Sequence, residues 1–324
     1  MLKEISIEIT RKCPNNCLHC SSLSNKTCKE LLPYDKFKEV ILDAKQLGAK
    51  TICLSGGEPF LHNRIVDMIR LVCEYGMDCY VYTSGIILDE LDQPISIPVE
   101  TLKQISGYVT KLIFNIEAGT EQTYDKIMGT KNCFKKMQES ALCAARVGLC
   151  TEAHFVPMKI NIDEMNEVIF LCKKIQISKL SFLRLVLHGR AKENAALLTL
   201  TEWQTKELKN QLSKFQAQSD LSIRIGVPLS LDLSCHRCEA ACGKLNIKYD
   251  GGVFPCEVFK NYSMEKSLGG LNPENIYQQS LINIYNRSRY LCRVREMSER
   301  YAENCGCETC FGQYLIGLEE KEGQ

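Results

Sequence analysis

No charge of one sign dominates this chain. Its 40 Lys and Arg against 39 Asp and Glu leave a formal charge of +1 over 324 residues. Bulk electrostatics therefore gives no reason to expect a nucleic-acid partner or an anionic membrane. Long hydrophobic runs are missing too. No apolar stretch of about 18 residues occurs, and Lys3 and Glu4 interrupt the opening residues. The expectation is a soluble, cytoplasmic protein with no membrane partner. Internal repeats and low-complexity tracts are also absent. The basic run Arg287, Arg289, Arg293 and Arg295 is followed by Glu296 and Glu299, and reads as a solvated helix face.

Against these absences stand 19 cysteines. An oxidised secreted scaffold is usually short and carries a signal peptide. An odd count in a long intracellular chain points instead to metal ligands plus buried free thiols, held in a reducing interior.

The rest of the chain reads as strand–helix units of roughly 30 residues each. "ISIEI" alternates Ile5, Ile7 and Ile9 with polar residues, as a strand does. Residues 35–47 place Phe37, Val40, Ile41, Ala44 and Leu47 at helical spacing, stopped by Gly48. "TICLS", "DCYVYT", "YVTKLIFNIE", "CTEAHFVPM" and "KLSFLRLVL" are the next five strands. The last long helix covers 201–217 and opens after Thr201. This order predicts an α/β fold with a parallel sheet, a partial (β/α)6 TIM-like barrel over residues 1–225. Chemistry in such folds lies at the C-terminal ends of the strands. Residues 226–324, with Cys235, Cys238, Cys242, Cys256, Cys305, Cys307 and Cys310, are expected to form a small second domain. "YDGGVFPC" within it has the composition of a hairpin.

"CPNNCLHC" at 13–20 follows the first strand and gathers three thiols. Three thiolates on one loop suit three irons of a four-iron cluster, and leave the fourth iron open to an outside ligand. "SGGEP" at 55–59 follows the second strand, with its "GGEP" opening 36 residues after Cys20. Its glycines permit close backbone approach to a ligand, although "GGEP" alone is also an ordinary turn.

The C-x3-C-x2-C spacing and the "GGEP" that follows it resemble the radical S-adenosylmethionine (radical SAM) superfamily. The resemblance runs through the first ~225 residues in the order of elements. It implies a [4Fe-4S] cluster on Cys13, Cys17 and Cys20, with the amine and carboxylate of S-adenosylmethionine on the open iron. An electron from the cluster then splits the sulfonium, and the 5′-deoxyadenosyl radical takes hydrogen from a substrate. By the same resemblance, His19 stands where an aromatic residue usually packs near the adenine. Gly56, Gly57 and Glu58 stand where the methionine ammonium is met. "YTSG" departs from the family's Thr-Asn-Gly strand end, with Ser84 supplying a hydroxyl instead. Asn115 and Glu117 fall where ribose or carboxylate contacts arise, and Arg184 where an anionic group is met. For each of these weaker matches a structural role competes. His154 reads as a satisfied strand-end histidine.

The C-terminal cysteines resemble the auxiliary-cluster domain called SPASM, or its shorter twitch version. The resemblance implies at least one further [4Fe-4S] cluster, on Cys242, Cys256, Cys307 and Cys310, with Cys238 able to replace one. The family's C-x2-C-x5-C-x3-C run is absent, and Cys235 and Cys305 are left over. One closed cluster is preferred to one closed plus one open cluster. A zinc ribbon stays open, because thiolate spacing alone does not exclude it. The other nine cysteines, Cys53, Cys73, Cys143 and Cys172 among them, read as core filler.

The function implied is a radical SAM oxidoreductase acting on a peptide or protein side chain, fed by a low-potential reductant such as flavodoxin or ferredoxin. One feature counts against a peptide. The motif opens at residue 13 and leaves no room for the leader-binding domain of many peptide maturases. A radical dehydrogenase or mutase on a small metabolite is therefore the alternative. A non-catalytic iron–sulfur sensor or electron carrier is the alternative of another class.

Overall fold

In the first strand, Ile5, Ile7 and Ile9 are wholly buried on one face, while Glu4, Ser6 and Glu8 line a cavity on the other. A strand buried on both faces sits inside a layered α/β fold, and here only one of its faces is apolar. Each isoleucine contributes about 1.5–3 kcal/mol of burial. The computed structural model describes residues 1–226, 229, 238–260, 267–305 and 310–322, with backbone alone at 303–305 and 320–322.

The strands are β1 (Glu4–Thr10), β2 (Thr51–Gly56), β3 (Asp78–Thr83), β4 (Ile86–Leu88), β5 (Pro94–Ser96), β6 (Lys111–Asn115), β7 (Thr151–Phe155), β8 (Lys179–Phe182), β9 (Ser222–Ile225), β10 (Lys244–Ile247) and β11 (Val253–Phe254). The helices are α1 (Tyr34–Gln46), α2 (Ile65–Glu74), α3 (Val99–Ile105), α4 (Glu121–Met128), α5 (Phe134–Arg146), α6 (Met165–Lys174), α7 (Arg190–Glu193), α8 (Ala195–Leu198), α9 (Glu202–Gln218), α10 (Leu281–Arg287), α11 (Arg289–Cys305) and α12 (Phe311–Glu322). One sheet runs β11-β10-β1-β2-β3-β6-β7-β8-β9, and β4-β5 form a separate hairpin. All neighbours in the large sheet are parallel except β10 and β11. The linear order leaves the barrel open among the described residues, as a partial barrel requires.

The six expected strands are present, and α9 opens at Thr201 with a reciprocal capping box to Gln204. The β4–β5 hairpin and, in the large sheet, two further strands go beyond the sequence reading. "SIRI" adds β9 beside β8, and "KLNI" adds β10 beside β1 with Ser6 opposite Asn246. The hairpin expected around Asp250-Gly251-Gly252 is the β10–β11 turn, so this cysteine-rich stretch extends the barrel sheet.

Outward positions such as Leu54, Val81, Leu112, Phe114, Phe155 and Phe182 are buried in the main apolar core, with Phe37, Ile41 and Val72 of α1 and α2. Inward positions are mostly polar, Cys53 and Ile113 apart. At the N-terminal end of the strands Glu152 pairs with Lys111 at 3.0 Å and Lys179 at 3.7 Å. Of the four arginines read as a solvated face, Arg293 pairs with Glu296 at 3.6 Å. Arg295 corrects that reading. Its guanidinium donates to the carbonyls of Ala241 (2.9 Å) and Tyr285 (2.7 Å), because carbonyl groups at a turn lie within its reach. Among the nine remaining cysteines, Cys53, Cys79 and Cys172 are buried as expected, but Cys150 is exposed just before β7 and is not core filler. Among the described residues no helix is long and apolar enough to cross a membrane.

Candidate active site

The loop after β1 is held by backbone from several directions. Cys13 N donates to Asn25 O (3.1 Å), Asn16 N to Met128 O (2.9 Å), Leu18 N to Ile127 O (2.8 Å) and Cys20 N to Cys17 O (3.2 Å). From the end of β2, Gly57 N donates to Thr10 O (2.7 Å) and Glu58 N to Lys12 O (2.8 Å). This contact needs glycine. A Cβ on Gly56 or Gly57 would stand 2.2 Å from the carbonyl oxygen of Thr10 or Lys12. The "GGE" stretch thus presses on the residues that lead into Cys13, which links it to the cysteine loop mechanically.

A second clamp was not foreseen. Arg190 donates through Nε to Cys17 O (2.8 Å) and through Nη2 to Ser24 O (2.8 Å), while its own N donates to Cys20 O (3.1 Å). Gly189 before it has φ +52°, and a Cβ there would lie 2.6 Å from Cys20 O. Sequence reasoning singled out Arg184 in "RLVLHGRA". Arg184 is half-buried and is not among the residues lining the cavity. The usable signal was the Gly-Arg pair: a glycine for close approach, followed by a forked donor.

Cys13, Cys17 and Cys20 line one cavity of about 560 Å³ at the C-terminal ends of the strands. Gly56, Gly57, Ser84, Asn115, Glu117 and His19 line it too. His19 Nε2 lies 3.3 Å from Glu117 Oε1, and Glu117 Oε2 accepts from Val156 N at 3.1 Å. His19 is therefore engaged at the wall by a carboxylate. Glu58 is brought near the cavity but turned away from it. Its buried carboxylate accepts from Thr83 Oγ1 (2.7 Å), Ser84 N (2.8 Å), Ser84 Oγ (2.7 Å) and Phe60 N (3.3 Å). Burial raises its pKa despite those hydrogen bonds. Its side chain braces the end of β3. His154 faces the Tyr82 ring with centroids 5.3 Å apart, and burial, then the charges of Arg224 and Lys179, lower its pKa to about 4.

The opposite wall joins the two ends of the chain. Glu8 Oε1 accepts from Ser22 Oγ (2.7 Å) and from Lys260 Nζ (2.5 Å). Burial pulls the Lys260 pKa down, but the Glu8 carboxylate more than offsets it and the net shift is upward. Ser6 Oγ donates to Glu257 Oε1.

Beyond that wall, Cys238 lies within electrostatic reach of Cys310 and Cys242, and Cys256 within reach of Cys310 and Cys238. Among the described residues Cys238 thus has Cys242, Cys256 and Cys310 in its neighbourhood. Cys235, Cys307 and the Cys305 side chain lie outside them. The Cys242 turn is held by Tyr285 Oη, which donates to Cys242 O (2.7 Å), and by Arg295.

Among the described residues no three His, Cys, Asp or Glu side chains close around a single ion. The N-terminal thiols are spread along one cavity wall, as a polynuclear cluster needs. Residues lining the same space carry buried polar atoms without partners: both amide atoms of Asn15, Ser24 Oγ, Glu8 Oε2 and His19 Nδ1. Burial and neighbouring thiols raise the pKa of Cys13 and Cys17, a penalty that a bound cation reverses. The donor set and these orphaned atoms fit a cluster with a polar nucleotide ligand.

The family model described as the Radical SAM superfamily matches residues 7–172. A second, an iron-sulfur cluster-binding domain called SPASM, matches residues 235–311. A PqqA peptide cyclase of Bradyrhizobium diazoefficiens is 23% identical over 299 residues, covering 90% of this chain and 74% of the relative. Streptococcus suis SuiB, solved with S-adenosylmethionine, superposes with a TM-score of 0.73 at 16% identity, over 96% of this chain and 71% of SuiB. Native anSMEcpe with bound AdoMet and Cp18Cys peptide gives 0.69 at 14% identity, over 95% and 88% of the two chains.

Proposed function

This chain belongs to the radical SAM superfamily, and from that premise we propose that it cleaves S-adenosylmethionine reductively and acts on a peptide side chain. The observation that carries the reading is the meeting of three thiols and a glycine-backed strand end at one polar cavity. Peptides are favoured because relatives are named as cyclases of the PqqA peptide, and a fold neighbour was solved holding a peptide. We read residues 1–225 as the barrel that bears this chemistry and 226–324 as the auxiliary-cluster domain, with Cys238, Cys242, Cys256 and Cys310 holding iron there.

When bound, a [4Fe-4S] cluster on Cys13, Cys17 and Cys20 supplies the electron that splits the sulfonium and yields the 5′-deoxyadenosyl radical. The chain's own part is orientation and exclusion of water. Gly56 and Gly57 leave room for a ligand to lie along the backbone at the end of β2. Glu58 fixes Thr83 and Ser84 from behind, so the Ser84 backbone and hydroxyl keep one position at the wall. Asn115 at the end of β6 and the His19–Glu117 pair beside it present polar groups to the same cavity. Arg190 holds the carbonyls of Cys17 and Ser24, which keeps the thiol spacing.

The test is anaerobic reconstitution with iron and sulfide, followed by dithionite and S-adenosylmethionine. 5′-Deoxyadenosine should accumulate. Its absence in protein that has taken up iron would sink the reading. Co-expression with short peptides encoded beside the gene should then shift the mass of one of them; a mass change found only in a small metabolite would reassign the substrate.

A further inference from the structure

A groove of about 830 Å³ lies on the outer surface, behind the cysteine loop. Pro14, Asn15 and Asn16 form one wall of it. Asn15 also lines the inner cavity, so a single turn of chain separates the groove from Cys13 and Cys17. Asn15 is buried, and neither of its amide atoms has a hydrogen-bond partner. The wall is firmly tied: Asn16 N donates to Met128 O, and Thr130 Oγ1 donates to Pro14 O at 3.2 Å.

The charge of the groove departs from that of the chain. Lys26, Lys131 and Lys136 line it, and none has an ion-pair partner among the described residues. One carboxylate, Asp92, lines it too, and it is matched by Lys12 at 3.8 Å. A chain with a formal charge of +1 has thus collected unpaired cations beside the turn that the groove shares with the reactive cavity. Such a patch steers an acidic protein and sets its orientation.

We propose that this groove is the docking surface for an acidic, low-potential electron-donor protein, and that electrons enter across the Pro14–Asn16 turn. The inference rests on reading Cys13, Cys17 and Cys20 as cluster ligands. The transfer is of one electron: the donor is oxidised by one, and the sulfonium that receives the electron breaks its carbon–sulfur bond to give methionine and the radical. A nucleic acid would also be drawn to lysines, but it gains nothing from a thin wall in front of three thiols.

The test compares the reconstituted protein with its K26E/K131E/K136E variant, using a flavodoxin with an acidic surface as the probe. The variant should bind the flavodoxin about tenfold more weakly or worse, and the dependence of binding on salt should flatten. Carbodiimide crosslinks in the unmodified protein should map to these lysines and vanish in the variant. Formation of 5′-deoxyadenosine should slow with flavodoxin yet stay unchanged with dithionite. Unchanged affinity and salt dependence, or crosslinks on other lysines, would overturn the proposal. If dithionite yields no 5′-deoxyadenosine in the unmodified protein, the functional reading fails, while binding and crosslinking still decide the surface.

Discussion

The two cysteine fields are built in opposite ways. At the N-terminal end, three thiols come from one loop of eight residues that follows β1 directly, and they face a cavity. At the C-terminal end, Cys238, Cys242 and Cys256 fall in one stretch around the β10–β11 hairpin, while Cys310 comes from beyond α11; Cys238 and Cys256 pack against the core. A loop of neighbours does not need a metal to find its shape, because backbone hydrogen bonds to Asn25, Ile127 and Met128 already hold it. A set that includes Cys310 closes the long loop from Cys256, and a ligand that joins them contributes folding energy directly. On the reading proposed above, the first arrangement would leave a coordination site open and the second would work as a staple.

The most severe way to break this contrast is to remove one thiol from each field. Cys17→Ala should abolish 5′-deoxyadenosine formation and lose about four irons per chain while the melting temperature barely moves. Cys256→Ala should instead cost on the order of 3 kcal/mol of stability and leave the N-terminal iron in place. Iron analysis, product assay and thermal melts decide it. Loss of all iron in either variant would show that the fields are not independent.

How much of this was legible in the sequence depends on the range of the interaction. Local patterns read through well: the alternation of "ISIEIT", the helical stripe of α1 and the helix start after Thr201 all depend on near neighbours. The spacing of "CPNNCLHC" carried the thiols, since they share one loop. Pairing across the chain was not legible. "KLNI" contains too few residues to declare a strand, and only register against β1 makes it one. Side-chain direction was also hidden. Glu58 stands in the motif as a ligand candidate, yet its carboxylate is spent on Thr83 and Ser84 behind the cavity wall. Arg184 follows β8 and Arg190 opens α7 six residues later, and nothing local decides which of them turns back to Cys17.

Each field has its own arginine, and exchanging them sharpens the comparison. Arg190→Lys keeps the charge but not the fork that holds Cys17 O and Ser24 O. Cofactor cleavage should fall about ten- to a hundredfold, with a perturbed Mössbauer or EPR signal from the cluster, and stability should change little. Arg295→Lys removes the bonds to Ala241 and Tyr285 at the Cys242 turn. It should cost about 1–3 kcal/mol and leave cleavage at the N-terminal loop unchanged. The reverse pattern, a stable but inactive Arg295→Lys and an active but unstable Arg190→Lys, would invert the roles assigned to the two fields.

The gentlest probe is acid, because it acts on one side of the comparison. His154 lies on the cavity wall of the barrel, and its pKa falls to about 4 through burial and the charges of Arg224 and Lys179. The unfolded chain takes up that proton near the ordinary histidine value of 6.5. Below that pH the unfolded state binds more protons, so stability is full above it and drains away as the pH drops toward about 4. Denaturant melts should lose about 2 kcal/mol between about pH 7 and about pH 5 from this group. His62 is shifted in the same direction by burial, so His154→Gln should remove part of the slope and leave a remainder. Both histidines belong to the barrel. If acid loosens this region first, hydrogen exchange at β7 should quicken before exchange at β10. An unchanged slope in His154→Gln would mean that the ring is not held neutral against Tyr82.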